Sequence, residues 1–236
     1  MPLIKLEWSL DMGKLLSIVI LSFIVGSIAF SSSRPEEQNR DNFQAIDRQV
    51  QKFMDSRRGS WRDLNVPEED GKALHNIVLQ HGYKNALEIG TSTGYSGIWI
   101  AWALAKTGGK LVTVEVDKER HDEAVANFRE AGLARYIDAR LGDAHEIVPA
   151  LQGSFDFVFC DADKDWYVNY AKAALPMLSK GGCFAAHNVM EGSGGWRRGW
   201  GGEGRDYLEY VRSITSLETK VLDLPGSNGL AVSYKK

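Results

Sequence analysis

Only two cysteines, Cys160 and Cys183, and six prolines occur in 236 residues. Two thiols are too few for a disulfide framework or a thiolate metal cluster, and both fall in apolar strand-like runs where a thiol packs as a small hydrophobe. Charge of one sign is lacking too. The 28 basic and 31 acidic residues leave a formal net charge of −3 and a pI of about 6.0, so the chain carries no electrostatic footprint for nucleic acid. Few prolines and no collagen-like period, with 44% hydrophobic residues, exclude a fibrous or disordered chain. What is abundant is glycine: 24 residues, about one in ten where roughly 7% is usual.

The first thirty residues differ from the rest. Leu15–Phe30 (LLSIVILSFIVGSIAF) carries no charge, and the uncharged stretch runs on through Ser33 to Arg34. It reads as a membrane-targeting segment, slightly short for a spanning helix of about 17–25 residues. Ser27-Ile28-Ala29 also resembles a small-x-small cleavage site, so residues 1–33 are either an anchor or a signal peptide. Residues 34–64 are polar and charged, with Phe43, Ile46, Val50 and Phe53 at three- and four-residue spacing. That spacing predicts an amphipathic helix that docks on the domain downstream of it, as a lid or linker.

From residue 65 to 236 short apolar runs alternate with longer helical ones. Asn85–Gly90, Lys110–Glu115, Phe155–Cys160 and Gly182–His187 read as strands, and Ser96–Lys106 and Glu119–Ala131 as helices. This alternation predicts an α/β fold with a doubly wound, mostly parallel sheet. Lys220–Leu224 and Gly229–Tyr234, separated by Pro-Gly-Ser-Asn, predict a C-terminal antiparallel hairpin.

In such sheets ligands bind beyond the carboxyl ends of the strands. The first strand runs into Glu88-Ile89-Gly90-Thr91-Ser92-Thr93-Gly94-Tyr95-Ser96. Ser92 stands where a GxGxxG turn needs its second glycine, which disfavours a pyrophosphate and hence a nicotinamide-dependent oxidoreductase. The turn suits a small zwitterion instead, with amides and Ser96 for a carboxylate and Glu88 for an ammonium group. Glu115, 25 residues after Gly90, ends the second strand where an acid accepts from both ribose hydroxyls. Asp143-Ala144 follows a further, third strand between Glu119–Ala131 and Phe155–Cys160, which makes the latter the fourth, and is placed to meet an adenine edge.

Those features, with Asn65-Val66, FVFCDADKDWY (Phe157–Tyr167) and Gly181-Gly182 ahead of His187-Asn188, resemble the class I S-adenosylmethionine-dependent methyltransferases with a Rossmann-like sheet. Within that class the chain is most similar to the small-molecule O-methyltransferases related to the catechol and caffeoyl-CoA enzymes. The resemblance implies S-adenosyl-L-methionine as cofactor and a small phenolic or catechol-like hydroxylated acceptor. Val66, Glu88, Gly90, Thr91, Ser96, Glu115, Asp143 and Asp161 then line the cofactor pocket, with Ala144 beside the adenine. A divalent cation in this family, chelated by the two adjacent oxygens of the acceptor, acts as Lewis acid and template. Its ligands are an aspartate ending the fourth strand and an Asp-Asn pair ending the fifth. Asp161 and Asn188 match, but the middle position is His187. A histidine there suits Mn or Zn better than Mg. Three readings of it stay open: metal ligand with Asp161 and Asn188, general base in a metal-free site, or structural residue.

Lys164 matches the position that the catechol enzymes use as general base, completing the catalytic set of Lys164, Asp161 and His187. Asp163 and Tyr167 are candidate acceptor contacts. So are Trp196 and Trp200, which lie in a glycine-rich run (Gly192–Gly204) that reads as a flap over a flat aromatic acceptor. S-adenosylmethionine is made and used in the cytosol, so the resemblance favours a single anchor with a cytosolic domain, export after signal cleavage being the alternative. A membrane-tethered cofactor-binding protein without transferase activity stays open, as does a homodimer.

Overall fold

In the computed structural model the described residues are 35–61, 64–190 and 203–236. The chain divides into two units, Met1–Gln38 and Asn39–Lys236, and the sheet and its cavity belong to the second. The targeting segment and the flap with Trp196 and Trp200 lie outside the described residues. No helix among the described residues is long and apolar enough to cross a membrane.

Among the described residues seven helices and seven strands follow in the order α1 (Pro35–Ser56), α2 (Glu68–His81), β1 (Asn85–Ile89), α3 (Tyr95–Thr107), β2 (Lys110–Glu115), α4 (Lys118–Glu130), β3 (Ile137–Leu141), α5 (Ala144–Ala150), β4 (Phe155–Cys160), α6 (Tyr167–Ala174), β5 (Leu178–His187), α7 (Glu203–Ser213), β6 (Leu217–Leu222) and β7 (Leu230–Lys235). The strands form one sheet in the order β3-β2-β1-β4-β5-β7-β6. β1 to β5 pair in parallel, while β7 runs antiparallel to both β5 and β6. The doubly wound sheet with its terminal hairpin is as the residue pattern predicts.

The central strands are apolar almost throughout because helices cover both faces, as parallel sheets require. Side chains alternate across the sheet. Ala86, Phe157, Phe159 and Ala185 join one core with α2 and α3, and Leu87, Ile89, Val158, Cys160 and Phe184 join the other with α6 and α7. The amphipathic stripe of α1 belongs to the first core: Ile46, Val50 and Phe53 are buried there. Trp102 Nε1 donates to Asp47 at 2.6 Å, and Arg57 pairs with Glu130 at 2.9 Å.

β5 begins four residues before the expected Gly182. Gly181, at φ +76°, lies inside the strand rather than ahead of it, in a left-handed conformation open to glycine. The β4–β5 register shifts there, from Phe155 opposite Leu178 to Phe157 opposite Cys183. Tyr83 O–H ties the irregular segment down by donating to the Gly181 carbonyl at 2.7 Å.

Strand order reverses between β1 and β4, since β1 is followed in the chain by β2 on one side while β4 pairs on the other. Loops diverge at such a switch point and leave a crevice. Gly90 lies at its base with φ +92°. A Cβ on it would stand 2.5 Å from the Asp161 carbonyl oxygen, so glycine is required by both conformation and space.

Candidate active site

A cavity of about 1460 Å³ opens over this crevice. Pockets for one ligand usually run to about 300–1,000 Å³, so it has room for two molecules side by side. Gly90, Thr91, Ser92, Ser96, Glu115, Asp143 and Ala144 line one end, and Asp161, Lys164, His187 and Asn188 line the other.

At the first end the donors and acceptors are set by backbone. Glu115, 6% exposed, accepts from the Ser92 amide at 2.7 Å and from the Asp117 amide at 3.0 Å. Ser92 is held at φ +48°, so the turn curls over the carboxylate. Asp143 caps α5 by accepting from the His145 amide at 2.8 Å, which presents Ala144 to the cavity.

Val66 and Glu88 are placed differently from the other candidates. Neither lines the cavity; Val66 is in the core, and Glu88 is fully buried beneath the turn. Alternation along β1 sends Glu88 to the α3 side, where Ser96 and Thr113 each donate to it at 2.6 Å. Burial pushes its carboxyl up to about 7, against the two hydroxyls, which pull it down. Its role here is to hold the turn to α3 and β2.

At the second end the polar groups form a chain of side chains. Lys164, in a 3-10 turn after β4, donates to Asp161 Oδ1 at 2.6 Å and also to the Tyr167 hydroxyl. Asp161 Oδ2 faces His187 Nδ1 at 3.1 Å, and His187 Nε2 faces Asp70 Oδ2 at 3.2 Å. A ring protonated on both nitrogens would donate to an oxygen of each acid. Burial alone would lower the pKa of His187, but its hydrogen bonds to Asp161 and Asp70 outweigh that and raise it to about 9. Asp161 is likewise buried, which would raise it, yet the His187 hydrogen bond and the Lys164 charge hold its carboxyl well below the usual range.

Tyr167, read as an acceptor contact, is 1% exposed and absent from the cavity wall. Its hydroxyl donates inward, toward the carbonyls of His187 at 3.1 Å and Cys160 at 3.2 Å. It supports Lys164 from below. Asp163 does line the cavity but faces the first end, where it accepts from Tyr170 O–H at 2.7 Å and meets His145 Nε2 at 3.0 Å. His145 in turn stacks on Trp166 with ring centroids 3.7 Å apart.

Asp161, His187 and Asn188 do not form a chelating set. Imidazole offers one lone pair to a metal, and both nitrogens of His187 already face carboxylates on opposite sides of the ring. The donors present do not fit the cation that the resemblance implies.

Sequence reasoning missed Asp70. It sits in the first turn of α2 with Glu68 and Glu69, and nothing in the sequence separates it from these two ordinary helix-start acids. It also missed the apolar rim, where Leu64, Val116 and Met190 are exposed and line the mouth of the cavity.

The family model for O-methyltransferases matches residues 38–194, about two thirds of the chain. The chain belongs to the O-methyltransferase family. It is 35% identical over 135 residues to caffeoyl-CoA O-methyltransferase 1 of Eucalyptus globulus, covering 55% of this chain and 54% of that one. To the catechol O-methyltransferase of Niastella koreensis it is 39% identical over 131 residues, covering 54% and 59%. The chain thus spans little more than half the length of these relatives. Among solved structures, the Bacillus cereus O-methyltransferase in complex with SAH superposes with a TM-score of 0.68 at 27% identity, covering 80% of this chain and 91% of that one. The O-methyltransferase TomG of Streptomyces achromogenes, in complex with SAM, gives 0.68 at 28%, covering 79% and 89%.

Proposed function

We propose that this family member transfers the methyl group of S-adenosylmethionine to a hydroxyl of a small phenolic acceptor. The observation that carries the reading is the two-ended cavity. One end offers the Glu115 carboxylate, the helix-capping Asp143 and the small Ala144 beside it, the kinds of partner that a nucleoside needs. The other offers a lysine on a buried aspartate. Solved relatives described with SAM or SAH have the same fold, and other relatives are named catechol and caffeoyl-CoA O-methyltransferases, which points to a phenolic acceptor.

The chemistry is an in-line displacement on a sulfonium methyl, so the protein's main tasks are to position the acceptor oxygen and take up its proton. A phenol is mostly protonated at neutral pH, taking tyrosine as the guide. Lys164 is the residue we assign to the acceptor proton, with Asp161 holding its Nζ in place; it takes that proton in its neutral form, having first given one of its own to solvent. Glu115 is assigned to the ribose and Ala144 to the adenine. Met190, two residues past Asn188, gives a flat acceptor ring an apolar surface, whereas Val116, next to Glu115, belongs to the cofactor end. The N-terminal segment, as an anchor, would hold this domain at the cytosolic face of a membrane; protease protection of intact cells tests that, and digestion from outside would overturn it.

Calorimetry with S-adenosylmethionine, followed by mass spectrometry of products from a panel of phenols, catechols and aromatic thioesters, tests the reading. Tight binding with a mass gain of one methyl group is expected. Binding without turnover on any acceptor would leave a cofactor-binding protein only.

A further inference from the structure

Resting on that reading, we propose that this protein holds its acceptor without a divalent cation, and that a single hydroxyl therefore suffices where chelation would demand two adjacent oxygens. The ring of His187 fills the position the family gives to a carboxylate ligand. Its Nδ1 lies 3.1 Å from Asp161 and its Nε2 3.2 Å from Asp70. Lys164 Nζ lies 2.6 Å from the other oxygen of Asp161. Each oxygen of Asp161 is thus already matched to a cationic or N–H partner. A metal ion would have to displace either the lysine or the ring, and Asp70 lies on the far side of that ring, where it cannot share an ion with Asp161.

The burial of the chain of contacts adds to this. The Asp70 side chain is 0% exposed and that of His187 5%, and Asp70 Oδ1 has no hydrogen-bond partner among the described residues. An acid is kept in so unfavourable a place only if its other oxygen does something specific. Here that is to hold the outer nitrogen of His187. Asp70 is a positioning residue, acting on the site through the ring. Chelation selects vicinal diols because two acceptor oxygens bind one ion. A side-chain network that meets one oxygen imposes no such condition, so the acceptor class extends to monohydroxylated aromatics.

Two measurements on the purified protein test this, one of which needs no turnover. Mn²⁺ is titrated into the wild type, with S-adenosylhomocysteine present, and followed by electron paramagnetic resonance. No site tighter than about 1 mM is expected in the wild type, and His187→Asp, which restores the carboxylate, should create one at least tenfold tighter. A stoichiometric wild-type site with a Kd below about 0.1 mM overturns the proposal even if no acceptor is ever turned over. Should His187→Asp not fold, the wild-type titration decides alone. In the second measurement EDTA should change the methylation rate by less than about twofold, with mono- and dihydroxylated phenols within about tenfold of each other. A loss restored by Mg²⁺ or Mn²⁺, or methylation confined to vicinal diols, overturns it. Failure to bind S-adenosylmethionine would instead count against the transferase reading, leaving the Mn²⁺ result to stand or fall by itself.

Discussion

The two ends of the cavity are built on different principles. At the cofactor end, recognition elements come from the carboxyl ends of three neighbouring strands, each shaped by its own backbone: a turn after β1, one acid ending β2, and one helix cap after β3. At the chemical end, four side chains from three distant segments converge, and Asp70 is 117 positions from the histidine it holds. The first end is made of turns and caps that each form within a few residues of chain. The second depends on α2, β4 and β5 keeping their relative places, so it is the end where function and tertiary packing are hard to separate.

The sharpest way to break this comparison is at Lys164. Lys164→Met should lower kcat by about 10²–10⁴ while the Kd for S-adenosylmethionine in calorimetry stays within about threefold. Comparable losses in both would show that the two ends do not work separately. The next effect is on stability and belongs to the chemical end. His187 has a folded pKa raised to about 9 from an ordinary 6.5, so the stability it contributes is fully present below pH 6.5 and is lost as pH rises through 9. The loss is on the order of 3 kcal/mol, read as a falling urea midpoint between pH 7 and 10, and His187→Asn should flatten that slope. At the cofactor end, Gly90→Ala should cost roughly 2 kcal/mol or more, from the positive φ and the approach to the Asp161 carbonyl, with a lower Tm and weaker cofactor binding. Smallest, Asp143→Ala should remove about 1 kcal/mol by uncapping α5, and should leave kcat at saturating cofactor nearly unchanged.

The same contrast explains what could be read from the residues alone. Four of the five parallel strands were legible because burial on both faces makes them apolar runs, and the turn from Gly90 to Gly94 because glycine stands where backbone must bend; β3, at the sheet edge and half-exposed, carries no such run and its bounds were not. Glu88 was legible as an acid at a strand end, read as the partner of an ammonium group, but not in its direction, since the hydroxyls of Ser96 and Thr113 hold it under the turn. Tyr167 was misplaced for a similar reason: its neighbours in sequence line the cavity, while its own position on α6 faces the core. Asp70 was beyond reach, because its meaning comes from a contact between α2 and the end of β5 that no local pattern announces.

The bare Cα of Gly90 rests against the main chain at Asp161, and the Asp161 amide donates to the Ile89 carbonyl at 2.9 Å. The floors beneath the two ends of the cavity are therefore two strands locked together main chain to main chain. On the transferase reading proposed above, such a joint would act as a fixed gauge for the gap that a methyl group crosses. Side chains around the rim could then be exchanged to admit other acceptors without resetting that gap.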